Sequence, residues 1–312
     1  MNQENKPRRH HYVTKSYLEG FCNNKGLLDG FDRTEQTSFS CSPRDAAVEC
    51  DFFRIPEAEA GEFELERQMG ELIESPGIEA IRKAVANGLE RTDCLSTELL
   101  AFMALHVARV PGTLNRFTEF VEEVLKRQLW YIAQDPSLLS EIHGEVGDDE
   151  LNAKQTEARE AIETGIIEPK VKKWFILSNV IKSMGPIAGA LEARKWQLVR
   201  VPAEGPTFCC SDQPISLSPL DPSRMNSAYG IGLGSQNTAV TFPLDKRTLL
   251  FGTFEDLPDV DPSERWVGAV NAIAAYQSER FVYTDTAEPL ATTGNGDQIS
   301  VLEYWKLNPK AP

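Results

Sequence analysis

LSTELLAFMALHVARVPG, residues 95–112, repeats its apolar side chains at a helical period, whereas WQLVRV, residues 196–201, opens a stretch of short strand-like runs. The change of period between the two decides the fold. In the first segment Ser96 stands where a cap belongs. Leu99, Phe102, Met103, His106 and Val110 follow at spacings of three and four, the apolar face of a helix. Pro111-Gly112 is expected to end it. Further helices are expected over 114–133, carrying Phe117, Val121, Leu125 and Trp130, and over 171–191, carrying Trp174, Leu177 and Val180. From Trp196 the apolar runs shorten to 196–201, 207–210, 239–242 and 248–254, separated by clusters of Pro, Gly, Asp and Ser. One helix interrupts them at 262–277, with Asp261 as its expected cap. A strand at 280–284 and a strand-like tail at 300–305 follow.

Upstream of the helical stretch, Tyr17, Leu18 and Phe21 line one side of a short helix over 14–22. The turn Asn23-Asn24-Lys25-Gly26 then leads into a hairpin of residues 27–33 and 36–40. From about Gly61 the helical period returns, with Phe63, Met69, Leu72 and Ile73 before the break at Pro76-Gly77. Helices and strands are thus segregated along the chain, which specifies an α+β fold rather than a doubly wound sheet. The N-terminal hairpin is expected to return to a sheet formed by residues 196–285, around one core with a helical middle at 61–192. The expected boundaries are a disordered tail at 1–9, one compact domain over 10–300 and a C-terminal tail at 301–312.

The chain carries 32 Lys and Arg against 47 Asp and Glu, a net charge of −15. Displacing counterions from a polyanion needs a basic face, so a broad nucleic-acid surface is excluded, and so is adhesion to anionic lipid. Residues 56–100 hold 11 acidic and 4 basic side chains and residues 141–168 hold 9 and 2, so nearly all the excess sits in these two stretches. A narrow basic cleft remains compatible with the rest. Residues 141–168 have too few apolar positions to bury a helix face, and are expected to form exposed, comparatively mobile helices without chemistry. Cys22, Cys41, Cys50, Cys94, Cys209 and Cys210 show no C-x-x-C spacing, so a zinc ribbon is not expected and free thiols in a reducing cytoplasm are. No apolar window reaches the length of a membrane span, and the opening residues carry no apolar stretch of a secretory signal.

No dinucleotide, P-loop, zincin or nucleophile-elbow pattern occurs. Gly230-Ile231-Gly232-Leu233-Gly234 lacks the spacing of a phosphate cradle and reads as a loop. Of the four histidines, His106 lies on the apolar helix face and reads as a core residue, and His143 sits in the acidic stretch and reads as surface. His10 and His11 run directly into Tyr12-Val13, at the edge of the core, where an imidazole could serve as base or ligand. Ser211-Asp212-Gln213-Pro214 puts a carboxylate at a rigid turn after a strand. Its oxygens can meet a metal ion, or can accept from nearby backbone amides in an Asx-turn.

His10-His11-Tyr12-Val13 with Tyr17-Leu18 and Phe21, then Gly26 and Asp32-Arg33, resembles the opening of the bacterial family called domain of unknown function 4238. That family begins on an HHYVPQFYL-type motif. Ser42-Pro43-Arg44 with Asp51-Phe52-Phe53 resembles its next step, and His106 with Arg109-Val110-Pro111 its Q-x-x-R-T-P step. Phe208 with Ser211-Asp212-Gln213-Pro214, then Phe242-Pro243-Leu244, Asn271 and Arg280 continue the series in order. The resemblance covers about residues 10–285. The chain departs from the pattern at Thr14, where the family usually has proline, and at His106, where it often has glutamine. The resemblance implies a fold and a recurring polar set, and no activity.

That set is His11, Arg33, Asp51, Arg109, Asp212, Asn271 and Arg280. One explanation is a buried architectural network, in which each charge needs a partner. The other is chemical. His11, Asp212, Arg109, Arg280 and Asn271 would then be catalytic, with His11, Asp51 and Asp212 holding Mg²⁺ or Mn²⁺ and an arginine clamping an anion. It leads to the expectation of a metal-assisted hydrolase of a phosphate-containing substrate, such as a nuclease of a defence or toxin-like locus, taking nucleic acid or a nucleotide in a local cleft. The alternative is a non-catalytic binding or regulatory protein whose acidic helices face a basic protein partner. On the chemical reading His11 and Asp212 should share one cleft, within about 10 Å, with Arg109 or Arg280 beside them.

Overall fold

The computed structural model describes residues 9–55, 61, 63–89, 94–135, 138, 147–221 and 231–309. The chain opens with strand β1 (Arg9–His11) and helix α1 (Lys15–Leu18), continued by a 3₁₀ turn at Glu19–Phe21. Strands β2 (Leu28–Asp32), β3 (Thr37–Cys41) and β4 (Val48–Cys50) follow. The helical middle holds α2 (Glu64–Met69), a π-helical turn (Gly70–Glu74), α3 (Ser75–Asn87), α4 (Thr97–Ala108), α5 (Pro111–Ile132), α6 (Asp148–Glu163) and α7 (Lys173–Glu192). Then come β5 (Lys195–Arg200), β6 (Cys210–Ser211), β7 (Ser216–Pro219), β8 (Thr238–Asp245), β9 (Thr248–Thr253) and α8 (Glu264–Gln277). The chain finishes on β10 (Phe281–Thr284), β11 (Leu290–Thr292), β12 (Gln298–Ser300) and α9 (Val301–Leu307). The fold is α+β with a helical middle.

The hairpin β2–β3 turns because Asp32 Oδ1 accepts the amides of Thr34 and Glu35 at 2.9 and 3.2 Å, the Asx geometry of a tight turn. β2 then pairs antiparallel with β10, Asp32 opposite Phe281, and β10 pairs in turn with β6. The two ends of the chain therefore share one four-stranded sheet, β3-β2-β10-β6. The expectation of a single sheet needs correction. β5, β9, β8 and β7 form a second four-stranded sheet, and β1–β4 and β11–β12 form separate pairs. The reason is α8, which is apolar around most of its circumference and packs on both sheets. Its Ala272 and Ala275 join Phe31, Val282 and Trp305 in one buried cluster, and its Val267 and Val270 join Val199, Leu249 and Phe251 in the other.

Four local expectations also change. Pro111 does not merely end α4 but starts α5, because a first-turn proline gives up no intrahelical bond. The strand expected at 207–210 begins only at Cys210. α8 starts after Ser263 rather than Asp261. The tail at 300–305 is helix α9. Ser300 Oγ accepts the Glu303 amide and Glu303 closes back on the Ser300 amide, a capping box, and Val301 and Trp305 are buried in the core. Ser96 caps α4 as expected, accepting from the Leu99 amide at 3.3 Å.

The chain divides into two compact units, one within residues 1–112 and 180–312 and the other within Thr113–Asn179. The first holds every strand among the described residues. The second is helical, tied by Trp130 Nε1 to Glu163 at 3.2 Å and by the Val171 amide to Glu122 at 3.2 Å. Most described side chains of α6 are exposed or half-buried, with Ile162 buried. Residues 1–8, His143 with the rest of 141–146, and Gly230 lie outside the described residues. Among the described residues no helix is long and apolar enough to cross a membrane.

Candidate functional site

Arg109 stands just past the last turn of α4, and 1% of it is exposed. α4 reaches this depth because α3 lies against it at Gly77, where a Cβ would sit 2.4 Å from the Phe102 ring. A buried guanidinium needs all its donors used. Its Nε donates to the Tyr12 carbonyl at 3.0 Å, Nη2 to Thr14 Oγ1 at 2.7 Å and Nη1 to the Glu74 carboxylate. One turn earlier, His106 Nδ1 donates to the Phe102 carbonyl at 2.9 Å, which leaves Nε2 as an acceptor. The Thr14 amide and hydroxyl meet that nitrogen at 3.2 and 3.1 Å. Burial, and then the neighbouring Arg109, push the His106 pKa well below its ordinary value, so this imidazole is neutral.

Alternation along β1 sends His10 and His11 to opposite faces. His10 is fully buried, stacked on Phe53, and its Nδ1 accepts the Phe53 amide at 2.8 Å. The free proton therefore sits on Nε2, 3.2 Å from a Glu66 oxygen. Burial, and then the nearby Glu74, raise the Glu66 carboxyl to about 7. His11 is half-buried with Nε2 3.3 Å from the Pro43 carbonyl, and burial lowers its pKa. It lies in the opposing fields of Glu74 and Arg109.

Asp212 and Arg280 meet at the junction of β6 and β10, but through the backbone. Asp212 Oδ1 accepts the Glu279 amide at 2.8 Å, and Oδ2 accepts those of Arg280 and Phe281 at 2.6 and 2.9 Å. The carboxylate is 3% exposed, and burial outweighs these three bonds to push its pKa up to about 6. The Arg280 side chain turns instead to Asp32, with Nε 3.0 and 2.9 Å from its oxygens and Nη2 at 2.7 Å. Arg33 caps the C-terminus of α8, donating to the carbonyls of Tyr276 at 3.1 Å and Ser278 at 3.3 Å. Asn271 accepts the Cys209 amide at 2.9 Å and donates to the carbonyls of Thr207 and Leu290 at 3.0 Å each. Asp51 occupies a left-handed turn, φ 55°, that leads into the buried Phe52 and Phe53.

His11 lies in the field of Arg109, Asp212 accepts from the backbone of Arg280, and Asn271 is bound to Cys209, Thr207 and Leu290; among the described residues His11 and Asp212 have different hydrogen-bond partners. Tyr12 links the first two of these groups: its carbonyl accepts from Arg109, and its hydroxyl is hydrogen-bonded with Tyr283, within the field of Asp212. Residues that sequence reasoning missed complete the first neighbourhood: His10 in its buried role, Thr14, Glu66 and Glu74. The available signal was that an arginine beside an apolar helix face needs an acidic partner, and residues 64–74 are one of the acidic runs that could supply it. Among the described residues no three of His, Cys, Asp and Glu are grouped to hold a metal ion. Three clefts of about 330, 250 and 510 Å³ are lined by other side chains, including Lys83 and Glu98, Ile81 and Arg82, and Trp196 and Arg200.

A family model described as Protein of unknown function (DUF4238) matches residues 9–288, nearly the whole chain. No curated protein and no solved structure matches it. The matched span runs from β1 through β10, and it contains every residue of the Arg109 and Asp212 networks. This chain belongs to the family of proteins of unknown function DUF4238.

Proposed function

We propose that the protein is a non-catalytic binding or regulatory protein whose His, Asp and Arg residues are architectural. The observation that carries this reading is the Asp212 carboxylate, spent on three consecutive backbone amides and closed off from solvent. A metal ligand or general base needs an oxygen facing its ion or substrate. Asn271 and Arg33 are likewise engaged with the backbone, and Arg280 with Asp32. The acidic helices of the middle then provide the surface for a basic partner, and the net charge of −15 opposes a polymeric nucleic acid.

The test is a melting curve of Asp212→Asn beside a cleavage screen on RNA, single-stranded DNA and nucleotides with Mg²⁺ or Mn²⁺. Asparagine turns an NH₂ toward amide donors, which leaves at least one buried N–H unpaired at a cost of about 1–3 kcal/mol. The expected outcome is a lower melting temperature, no cleavage by either protein and no stabilisation by the metals. Cleavage by the unaltered chain that Asp212→Asn abolishes without lowering stability would overturn the reading.

One observation favours a second reading, a hydrolase of a phosphate-containing substrate. Glu66, with a pKa of about 7, and half-exposed His11 are groups suited to moving protons near neutral pH, with Arg109 beside them. On that reading Glu66→Gln, rather than Asp212→Asn, removes the activity.

A further inference from the structure

We propose that strand β3 is a self-association edge: two copies of this chain pair β3 with β3, antiparallel about a two-fold axis at Phe39, and join their four-stranded sheets into one. The pairing does not depend on whether the protein is catalytic, and it uses a different surface from the acidic helices. An edge strand presents backbone groups that bind a further strand unless something blunts them. The other three edges of the two four-stranded sheets are blunted. Beside β7, the Gln277 side chain accepts the Leu217 amide at 3.0 Å and donates to the Leu217 carbonyl. Along β5, Arg200 reaches the α3 carbonyls of Ala84 and Val85 at 3.2 and 2.7 Å, and Lys195 pairs with Asp256. β6 is two residues long, and Pro214 follows it closely. β3 has no such device: Thr37-Ser38-Phe39-Ser40-Cys41 holds no charge and no proline.

Which groups of β3 are open follows from the alternation of an antiparallel ladder. The Arg33 amide donates to the Arg280 carbonyl, so every second residue back along β2 turns its backbone groups to β10. Leu28, Gly30 and Asp32 therefore turn theirs to Cys41, Phe39 and Thr37 of β3. The N–H and C=O of Ser38 and Ser40 are left pointing outward. Both serines are exposed, and among the described residues these backbone groups have no partner. A two-fold axis at Phe39 sets Ser38 of each copy opposite Ser40 of the other, which satisfies all of them with four hydrogen bonds. Phe39 then meets its counterpart at a non-hydrogen-bonded position, where cross-strand side chains come closest. Its ring is already held in place over Gly30, which has no Cβ to displace it, and lies edge-on to Phe281 at 5.9 Å. Charges at the strand ends also match a second copy. The register brings the turn carrying Glu35 beside the turn carrying Arg44 of the other chain, twice by symmetry. Arg44 is exposed and forms no ion pair among the described residues, and Glu35 reaches Arg280 only at 3.9 Å.

Sedimentation equilibrium of the full chain, with its thiols kept reduced, tests this. One short edge makes a weak dimer, so a dissociation constant of about 10 to about 100 μM is expected. Ser38→Pro removes an outward N–H while leaving the bonds to β2, and should raise that constant at least about tenfold. Arg44→Glu should raise it too, and adding Glu35→Arg should restore it. A chain that stays monomeric throughout overturns the proposal and leaves the edge to an extended segment of another protein. A dimer that Ser38→Pro leaves intact also overturns it. A cross-link reads the register without that variant. Thr37 lies opposite Cys41 of the other copy at a non-hydrogen-bonded position, with Cα atoms about 4.5 Å apart, within disulfide reach. With copper phenanthroline and dissolved oxygen as oxidant, Thr37→Cys should join position 37 of one chain to Cys41 of the other, and Ser38→Cys should not. No cross-link from Thr37→Cys, or an equal one from Ser38→Cys, overturns the pairing.

Discussion

Thr14 donates its backbone N–H to His106 Nε2 at 3.2 Å, and its hydroxyl lies between that nitrogen and Arg109. These two residues are also the two departures from the family's pattern of proline and glutamine, so the departures touch each other. A proline at 14 has no N–H to give. The backbone there, φ −55°, ψ 127°, would accept one without strain, so substitution reads the hydrogen bonds and not the chain geometry. Thr14→Pro alone should cost about 2 kcal/mol, since it removes both Thr14 bonds to His106, leaving that nitrogen only Arg109 Nη2 at 3.2 Å, and takes the hydroxyl acceptor from Arg109. Combined with His106→Gln, whose oxygen can take the Arg109 donor, it should cost at least about 1 kcal/mol less than the sum of the single changes. Urea denaturation of the four proteins measures this, and strict additivity would contradict it. Arg109→Met should cost about 3–5 kcal/mol by leaving Glu74 without its charge partner, whereas Arg67→Met, in an exposed pair, should change stability by less than about 1 kcal/mol.

At the scale of elements, α4 and α6 are opposites. α4 buries eight of its residues, including His106, whereas α6 carries acidic side chains around most of its surface. Local opening should therefore be far easier in α6, and hydrogen exchange should find residues 148–163 exchanging much faster than 99–108. Comparable protection of the two would refute the picture of solvated acidic helices. α9 shows where a readable signal was overridden by composition. Ser300-Val-Leu-Glu303-Tyr-Trp305 is β-branched and aromatic enough to suggest a strand, but Ser300 and Glu303 stand three apart in the pattern of a capping box. Ser300→Ala should cost about 1 kcal/mol, read from the urea midpoint, because the cap anchors a helix whose Trp305 lies in the core.

For the whole molecule, a net charge of −15 concentrated in the helical middle makes the folded state repel itself. Raising NaCl from about 0.02 to about 0.5 M shortens the Debye length from roughly 20 Å to a few ångströms, and should raise the melting temperature. A melting temperature that falls with salt would mean that the attractive pairs, such as Lys195–Asp256 and Arg67–Glu71, outweigh the repulsion. The strands at the two ends of the chain meet only in the assembled fold, β2 on β10, and this is what brings Asp32 to Arg280 across nearly 250 residues of chain.

By itself the sequence determined the α+β class, the Ser96-capped helix α4 and the positions of β2, β3, β5, β8, β9 and β10. These depend on periodicity, caps and turn residues, which act over a few positions. It also identified most members of the polar set. Only the tertiary structure decided how they are used. It gave Asp212 to three amides, and brought Glu66 and Glu74 to His10 and Arg109. It also inserted α8 between two sheets where one was expected. The reason is that the free energy of a buried charge depends on which groups surround it, and those groups come from elements distant along the chain.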